Sequence, residues 1–428
     1  MRAALWLLGL FGVAVAVALF AGNNPGTVTV FWPPYRVDLS LNLVLVALAM
    51  LFTVLHLAMR ALAALFAMPG HAKSWRLQHQ ERALHVSLLE SMSHLLAGRF
   101  IRARKSAESV LVREAAVGRG DDALSYSGRL RALAHLLAAE SAHTLQDHAA
   151  RDDHFAKALE QASRPDAQGV TEALQLRAAR WSLEDHDAVK ALQWLDDMPI
   201  GASRRTIAMR LRLEAARMAR HVAPALETAR LLSKHRAFSP LASERIVRSL
   251  ALEWVATAHD PDQLMRVWNQ LDPSERTIPE VTLAAAQRLL DLDGDVVITR
   301  HWLLPLWERM IARLDDLTLV QRTQLVQVLE QGFSLTTGAP EATWLTRIEA
   351  AQTAHPGDPL LQYLAGVACM RLQLWGKAQQ LLMQSLPRMQ GSTLEGKALE
   401  TLALLAEQRG DSAAAARAWR KAAIAMSA

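Results

Sequence analysis

Two uninterrupted apolar runs open the chain, and after them apolar residues recur every three or four positions almost to the end. The first run, AALWLLGLFGVAVAVALFAG at residues 3–22, carries no charge. The second, LSLNLVLVALAMLFTVLHLAM at 39–59, has the same character. About 20 apolar residues at 1.5 Å each cross the roughly 30 Å hydrocarbon core of a bilayer, so the pattern predicts two transmembrane helices, at about 3–22 and 39–60. Between them NNPGTVTVFWPPYRVDLSLN alternates like a strand through Val28, Val30 and Trp32 and breaks at Pro33-Pro34. Its position between two spans makes residues 23–38 a short external loop, with the alternation secondary and the prolines holding the connection open. Residues 1–66 are therefore an expected membrane anchor in contact with lipid.

Basic residues orient the anchor. Arg2 precedes the first run, and Arg60, Lys73 and Arg76 follow the second with no acidic residue before Glu81. Lysine and arginine resist translocation, so both termini and the body are expected in the cytoplasm of a two-pass protein. Trp32 and Tyr35 are amphipathic rings suited to the headgroup level, and Arg60 can extend its charge to the same depth from the helix end. A cleavable signal peptide is the rival for the first run, but that run is long and a second span follows it directly. Pro69-Gly70 marks an expected connector at 67–76.

From residue 77 to 428 the three-and-four spacing predicts short amphipathic helices punctuated by glycine and proline, with no convincing strand. The clearest repeat is DPLLQYLAGVACMRLQLWGKAQQLLMQSL, within a unit at 358–390. Gly366 and Ala378 take small positions where two antiparallel helices cross, and Leu382 fills the seam. The next unit, 394–425, places Gly410 at the turn, Ala415 at the small position and Trp419 at the bulky one. Ala378 and Ala415 lie 37 residues apart, close to the 34-residue tetratricopeptide period. Weaker copies begin with HLLAGRFIRARKSAESVL, which puts Gly98 at a turn and Ala103 and Ala107 at contact positions. Others lie at 133–159, 174–198 and 211–232. The expected fold is all-α: two transmembrane helices followed by a tetratricopeptide-like α-solenoid. Between 240 and 350 the repeats lose regularity, and Trp254, Trp268, Trp302, Trp307 and Trp344 are expected in buried seams.

Composition narrows the chemistry. The 47 basic and 42 acidic residues are interspersed, which does not suit a nucleic-acid surface, and mean hydropathy is +0.08 although 21% of residues are charged. The single Cys369 rules out an intramolecular disulfide and a multi-cysteine metal site. Neither GxxxxGK[ST] nor HExxH occurs. Gly118-Arg119-Gly120 lacks the strand and third glycine of a dinucleotide loop, and Asp291, Asp293 and Asp295 lack the spacing of a calcium loop. No catalytic residue and no metal ligand is assigned, and the expectation is a protein that is not an enzyme. The histidines gather at His135, His143, His148 and His154, with His221 and His235 elsewhere, and are expected mostly exposed or at turns. His135, His143 and His148 are the candidates for contact with a tetrapyrrole.

The two spans joined by VFWPPYRVDLSLNL, the basic exit, the LLAGRFIRARKSAESVL unit and the terminal repeats together resemble the proteobacterial HemY family. The resemblance implies an inner-membrane protein associated with a late step of protohaem synthesis, with no established catalytic residues. The same name is used for an unrelated flavin-dependent porphyrinogen oxidase, whose dinucleotide fingerprint this chain lacks. The function that follows is a non-catalytic scaffold gathering late haem-pathway enzymes, such as ferrochelatase or porphyrinogen oxidase, through its repeats. The alternatives are a direct carrier of haem or porphyrin, and a generic membrane-tethered chaperone.

Overall fold

The computed structural model describes residues 11–15, 18, 22, 26–117, 126–335 and 339–427. The first expected span, 3–22, and the Gly118-Arg119-Gly120 motif therefore fall largely or wholly outside the described residues. What is described is helical except at one place. Thr27–Trp32 (β1) and Tyr35–Ser40 (β2) pair antiparallel, in the register Val28↔Leu39, Val30↔Val37, Trp32↔Tyr35. This corrects both the all-α expectation and the open loop at 23–38. Alternating β-branched and aromatic residues flank a two-residue turn at Pro33-Pro34, whose peptide bond is cis.

Ser40 ends the hairpin and caps the following helix, its hydroxyl accepting from Leu43 N at 3.4 Å. That helix, α1, runs from Leu41 to Leu96 without interruption. The expected end near residue 60 and the connector at 67–76 are thus both corrected. Proline in a helix loses one backbone hydrogen bond and glycine is a poor helix former, yet the helix continues through Pro69-Gly70. Residues Leu41–Ala63 are apolar and unburied, the one described helix long and apolar enough to cross a membrane. At 1.5 Å per residue α1 is about 84 Å long, so about 50 Å of it extends beyond the apolar stretch.

The described chain forms two compact units, 1–171 and 172–428. In the first, the far end of α1 packs on α2 (Phe100–Val117) and α3 (Ser127–Thr144), and α3 packs on α4 (His148–Ala162). Leu84, Val110, Leu130 and Ala134 form its core, and Ser91 donates to the Ala103 carbonyl at 2.8 Å where α1 and α2 come close. The helix that carries the apolar stretch is thus also the first helix of the body.

The boundary falls within α5 (Gln168–Glu184), and the second unit holds α6 (Ala188–Asp196), α7 (Ile200–Ser203), α8 (Thr206–Met218), α9 (Val222–Lys234) and α10 (Pro240–Ala256). Then come α11 (Pro261–Gln270), α12 (Pro273–Arg276), α13 (Pro279–Asp291), α14 (Val296–Ala312) and α15 (Leu319–Leu335). The last five are α16 (Ala339–Ala354), α17 (Pro359–Arg371), α18 (Trp375–Met389), α19 (Thr393–Gln408) and α20 (Ser412–Ser427). In the irregular region Trp268, Trp302, Trp307 and Trp344 are buried, and Trp254 is partly so. Trp268 and Trp302 stack with ring centroids 4.3 Å apart, and Trp307 meets Trp344 edge-on at 5.7 Å.

One turn recurs through both units. Gly98, Gln146, His186, Arg220, Gln373 and Gly410 all have φ between 57° and 74°, and each follows the end of a helix. At Gln146 its own N–H reaches the His143 carbonyl and the next N–H, of Asp147, reaches Ala142. The same pair of bonds occurs at His186, Arg220, Gln373 and Gly410, the pattern of a Schellman cap. At three of these turns the next residue is an aspartate that starts the following helix. Asp147, Asp187 and Asp411 accept from the N–H groups of Ala150, Lys190 and Ala414. His186 and Arg220 lie 34 residues apart and Gln373 and Gly410 lie 37 apart, so the repeat is written in its turns.

Candidate functional site

The candidate packing residues come together in the C-terminal hairpins. Gly366 is buried on α17, where an added Cβ would lie 2.8 Å from Leu382 Cγ and 3.4 Å from the Ala378 carbonyl of α18. Ala378 and Leu382 are fully buried opposite it. Gly410 makes the α19–α20 turn with φ +74°, and Ala415 is buried just beyond. Trp419 does not fill a seam: it is 37% exposed, with its indole N–H donating to Glu407 at 2.8 Å. An open groove of about 960 Å³ lies between the end of α18 and the α19–α20 pair, lined by Leu386, Leu399, Ile424 and Met426 among others.

Sequence reasoning did not find the polar groups that hold this region. Tyr363, completely buried, donates to Glu330 at 2.7 Å, and Lys397 approaches the other carboxylate oxygen at 3.7 Å. Burial raises the Glu330 carboxyl above its usual range against the opposing pull of Tyr363 and Lys397, and burial also raises the Tyr363 hydroxyl. Asp358 caps α17 through Leu360 N and Leu361 N, both at 3.0 Å, and also pairs with Arg322. Only its place before Pro359 hints at the cap in the sequence.

The histidines divide into two groups in the first unit. His135 on α3 faces His154 on α4, Nδ1 to Nδ1 at 3.1 Å, and both rings are partly buried. His154 Nε2 lies 3.8 Å from Glu108, which pairs with Arg104 at 3.0 Å, and Arg104 reaches Asp147 at 2.9 Å. His143 is buried two turns away, and Arg151 donates to its Nδ1 at 3.1 Å. His148 is exposed at the start of α4, its ring edge-on to His143 at 6.3 Å. The expectation that these rings are mostly exposed is corrected for His135, His143 and His154, because crossing helices enclose the sides of α3 and α4 that carry them. The three tetrapyrrole candidates do not converge: His135 pairs with His154, which was not among them.

Two imidazoles that meet through Nδ1 can share one proton but cannot both be charged. Burial first, and then repulsion from His154, pushes His135 down to about 4 from an ordinary 6.5, with Lys157 and Arg131 adding and Asp153 opposing. Burial likewise lowers His154, against the pull of Glu108. The unfolded imidazoles take up protons that the folded pair refuses. Stability is therefore full above about pH 6.5 and is expected to fall by about 1–2 kcal/mol towards pH 4, allowing for solvent access. Urea unfolding across this range checks the slope, and His135→Gln should flatten it. An unchanged slope would mean that His135 does not titrate as placed.

In the anchor, Trp32 and Tyr35 are 75% and 72% exposed at the hairpin tip. Arg60 is exposed within the apolar stretch Leu41–Ala63, three residues before its end.

These features define a class, a helical-hairpin protein whose first long helix carries an apolar stretch of membrane-crossing length. Residues 26–146 match the family described as HemY protein N-terminus. No curated protein matches the chain. Among solved structures, a chain of the APC/C hetero-tetramer Cut9-Hcn1 is similar at 15% identity and TM-score 0.27, covering 78% of this chain and 65% of that one, a little under two thirds of its length. The TPR domain of P58(IPK) is similar at 13% identity and TM-score 0.22, covering 76% of this chain and 99% of that one.

Proposed function

We propose that this chain is a non-catalytic, membrane-anchored scaffold for late protohaem synthesis. The observation that carries the reading is the family match, whose residues 26–146 take in the hairpin, the apolar helix and the first body helices in one segment. The HemY name ties that segment to haem metabolism, and repeated helical hairpins are a scaffold that most often binds other proteins. In this reading the first apolar run, 3–22, and Leu41–Ala63 cross the inner membrane together and both termini stay in the cytoplasm. The repeats then gather enzymes such as ferrochelatase and porphyrinogen oxidase, so that their hydrophobic intermediates travel short distances.

Gentle detergent extraction and pull-down of the full chain is expected to recover at least one late haem-pathway enzyme. A deletion strain should accumulate the porphyrin of the affected step. Recovery of many unrelated clients with normal porphyrins would point to a general chaperone and overturn the proposal. The carrier alternative draws on His135, His143 and His148, but in it a tetrapyrrole would have to displace the His135–His154 and His143–Arg151 contacts. Haemin titration of the same purified protein separates the two. A Soret shift lost in His143→Ala favours the carrier, and no shift favours the scaffold.

A further inference from the structure

The β1–β2 hairpin has two unlike faces. Cross-strand partners lie on the same side of a sheet, and successive residues alternate sides. One side therefore holds Val28, Val30, Trp32, Tyr35, Val37 and Leu39, with no charged residue among them. The other holds Thr27, Thr29, Phe31, Arg36, Asp38 and Ser40; Phe31 is exposed there, and the charged side chains pair with one another. Thr29 donates to Asp38 at 2.6 Å, Arg36 pairs with Asp38 at 3.5 Å, and the Arg36 guanidinium lies 5.5 Å from the Phe31 ring centroid. On the apolar side Val30, Trp32, Tyr35 and Val37 are all exposed.

The base of the hairpin is fixed where the apolar helix begins. Leu41 N donates to the Gly26 carbonyl at 2.9 Å, and Leu41 is the first residue of the apolar stretch. Six residues at about 3.3 Å each give the hairpin a reach of about 20 Å. Standing upright from a bilayer, it would hold Trp32 and Tyr35 about that far above the headgroups and leave its whole apolar side in water. A lone two-stranded hairpin is marginal in water without something against its apolar face. Lying down, it continues the apolar surface of α1 sideways into the headgroup–acyl boundary, where tryptophan and tyrosine are favoured, and turns Arg36 and Asp38 to the solvent.

We infer that the hairpin lies flat on the bilayer surface, its Val28–Leu39, Val30–Val37 and Trp32–Tyr35 side seated in lipid. It is a peripheral membrane contact added to the span. This rests on the anchoring part of the function proposed above, and the test separates the two. In the full chain with Cys369→Ala, Val37→Cys or Asp38→Cys is labelled with an environment-sensitive fluorophore, and the protein is reconstituted into phosphatidylethanolamine–phosphatidylglycerol vesicles. The two positions are neighbours on opposite faces. At Val37 we expect a blue shift and quenching by nitroxide-labelled lipid, and at Asp38 quenching by aqueous iodide. Adding Trp32→Ser and Tyr35→Ser should weaken the lipid quenching at Val37 while the protein still floats with the vesicles. Iodide quenching at both positions would show the hairpin upright in water and overturn the contact. Shielding of Val37 from both quenchers would show a protein covering the face and overturn it equally. A chain that fails to float with the vesicles overturns the anchor itself and the contact with it.

Discussion

Replacing Gly366 with valine is expected to lower the stability of the C-terminal hairpins by about 3 kcal/mol, the upper range for forcing extra carbon into a packed core. The close approach is to parts that cannot turn aside. Leu382 Cγ would lie 2.8 Å and its Cδ2 3.0 Å from the new Cβ, with the Ala378 backbone behind at 3.4 Å. Leu382 is itself fully buried, so moving it displaces its own neighbours. Gly376, at the start of α18 in the same hairpin, has nothing within 4 Å of an added Cβ. Gly376→Ala is expected to stabilise by about 0.5–1 kcal/mol, because alanine loses less backbone freedom in a helix. Urea unfolding of both variants, with hydrogen exchange over 359–389, distinguishes them. Equal tolerance at the two positions would contradict the close helix crossing.

The other large effect is in the membrane. Leu51 and Val54 sit near the middle of Leu41–Ala63, 65% and 59% exposed on an unburied helix. Arginine at each costs about 2.5–3.5 kcal/mol of insertion free energy. With a green fluorescent protein fused after the last residue, the natural chain is expected to fluoresce in the cytoplasm. In the proposed two-pass arrangement the Leu51→Arg, Val54→Arg double variant is expected to lose that fluorescence, since failure of this crossing would leave the body on the far side. Unchanged fluorescence with unchanged membrane fractionation would mean that this helix does not cross.

Much of the repeat was legible in the sequence because small residues mark close contact. Gly366, Ala378 and Ala415 could be picked out from spacing alone, and so could the turns at Gly98 and Gly410, because glycine takes a positive φ without strain. The turns at Gln146, His186, Arg220 and Gln373 were hidden. A side chain in that conformation costs about 1–2 kcal/mol, so residue identity argues against it. What offsets the cost is the pair of Schellman bonds and, after Gln146 and His186, the aspartate that caps the next helix. The missed signal was that aspartate between two amphipathic runs.

The candidate histidines show the same division. Composition placed His135, His143, His148 and His154 in one region, but two residues on a helix share a contact only if a second helix brings the same partner to both. The α3–α4 crossing gives His135 to His154 and leaves His143 to Arg151. Likewise Glu330 and Tyr363 stand 33 residues apart, and no local pattern connects them.

The sequence by itself determined the apolar stretch that can cross a membrane, the helical character of the body and the small residues where helices touch. Those properties depend on hydrophobicity, local propensity and side-chain volume, which each residue carries with it. Tertiary structure decided that the loop closes into a hairpin and that one helix runs from Leu41 to Leu96 through Pro69-Gly70. It also decided which polar groups meet inside, because those outcomes depend on partners that only folding supplies.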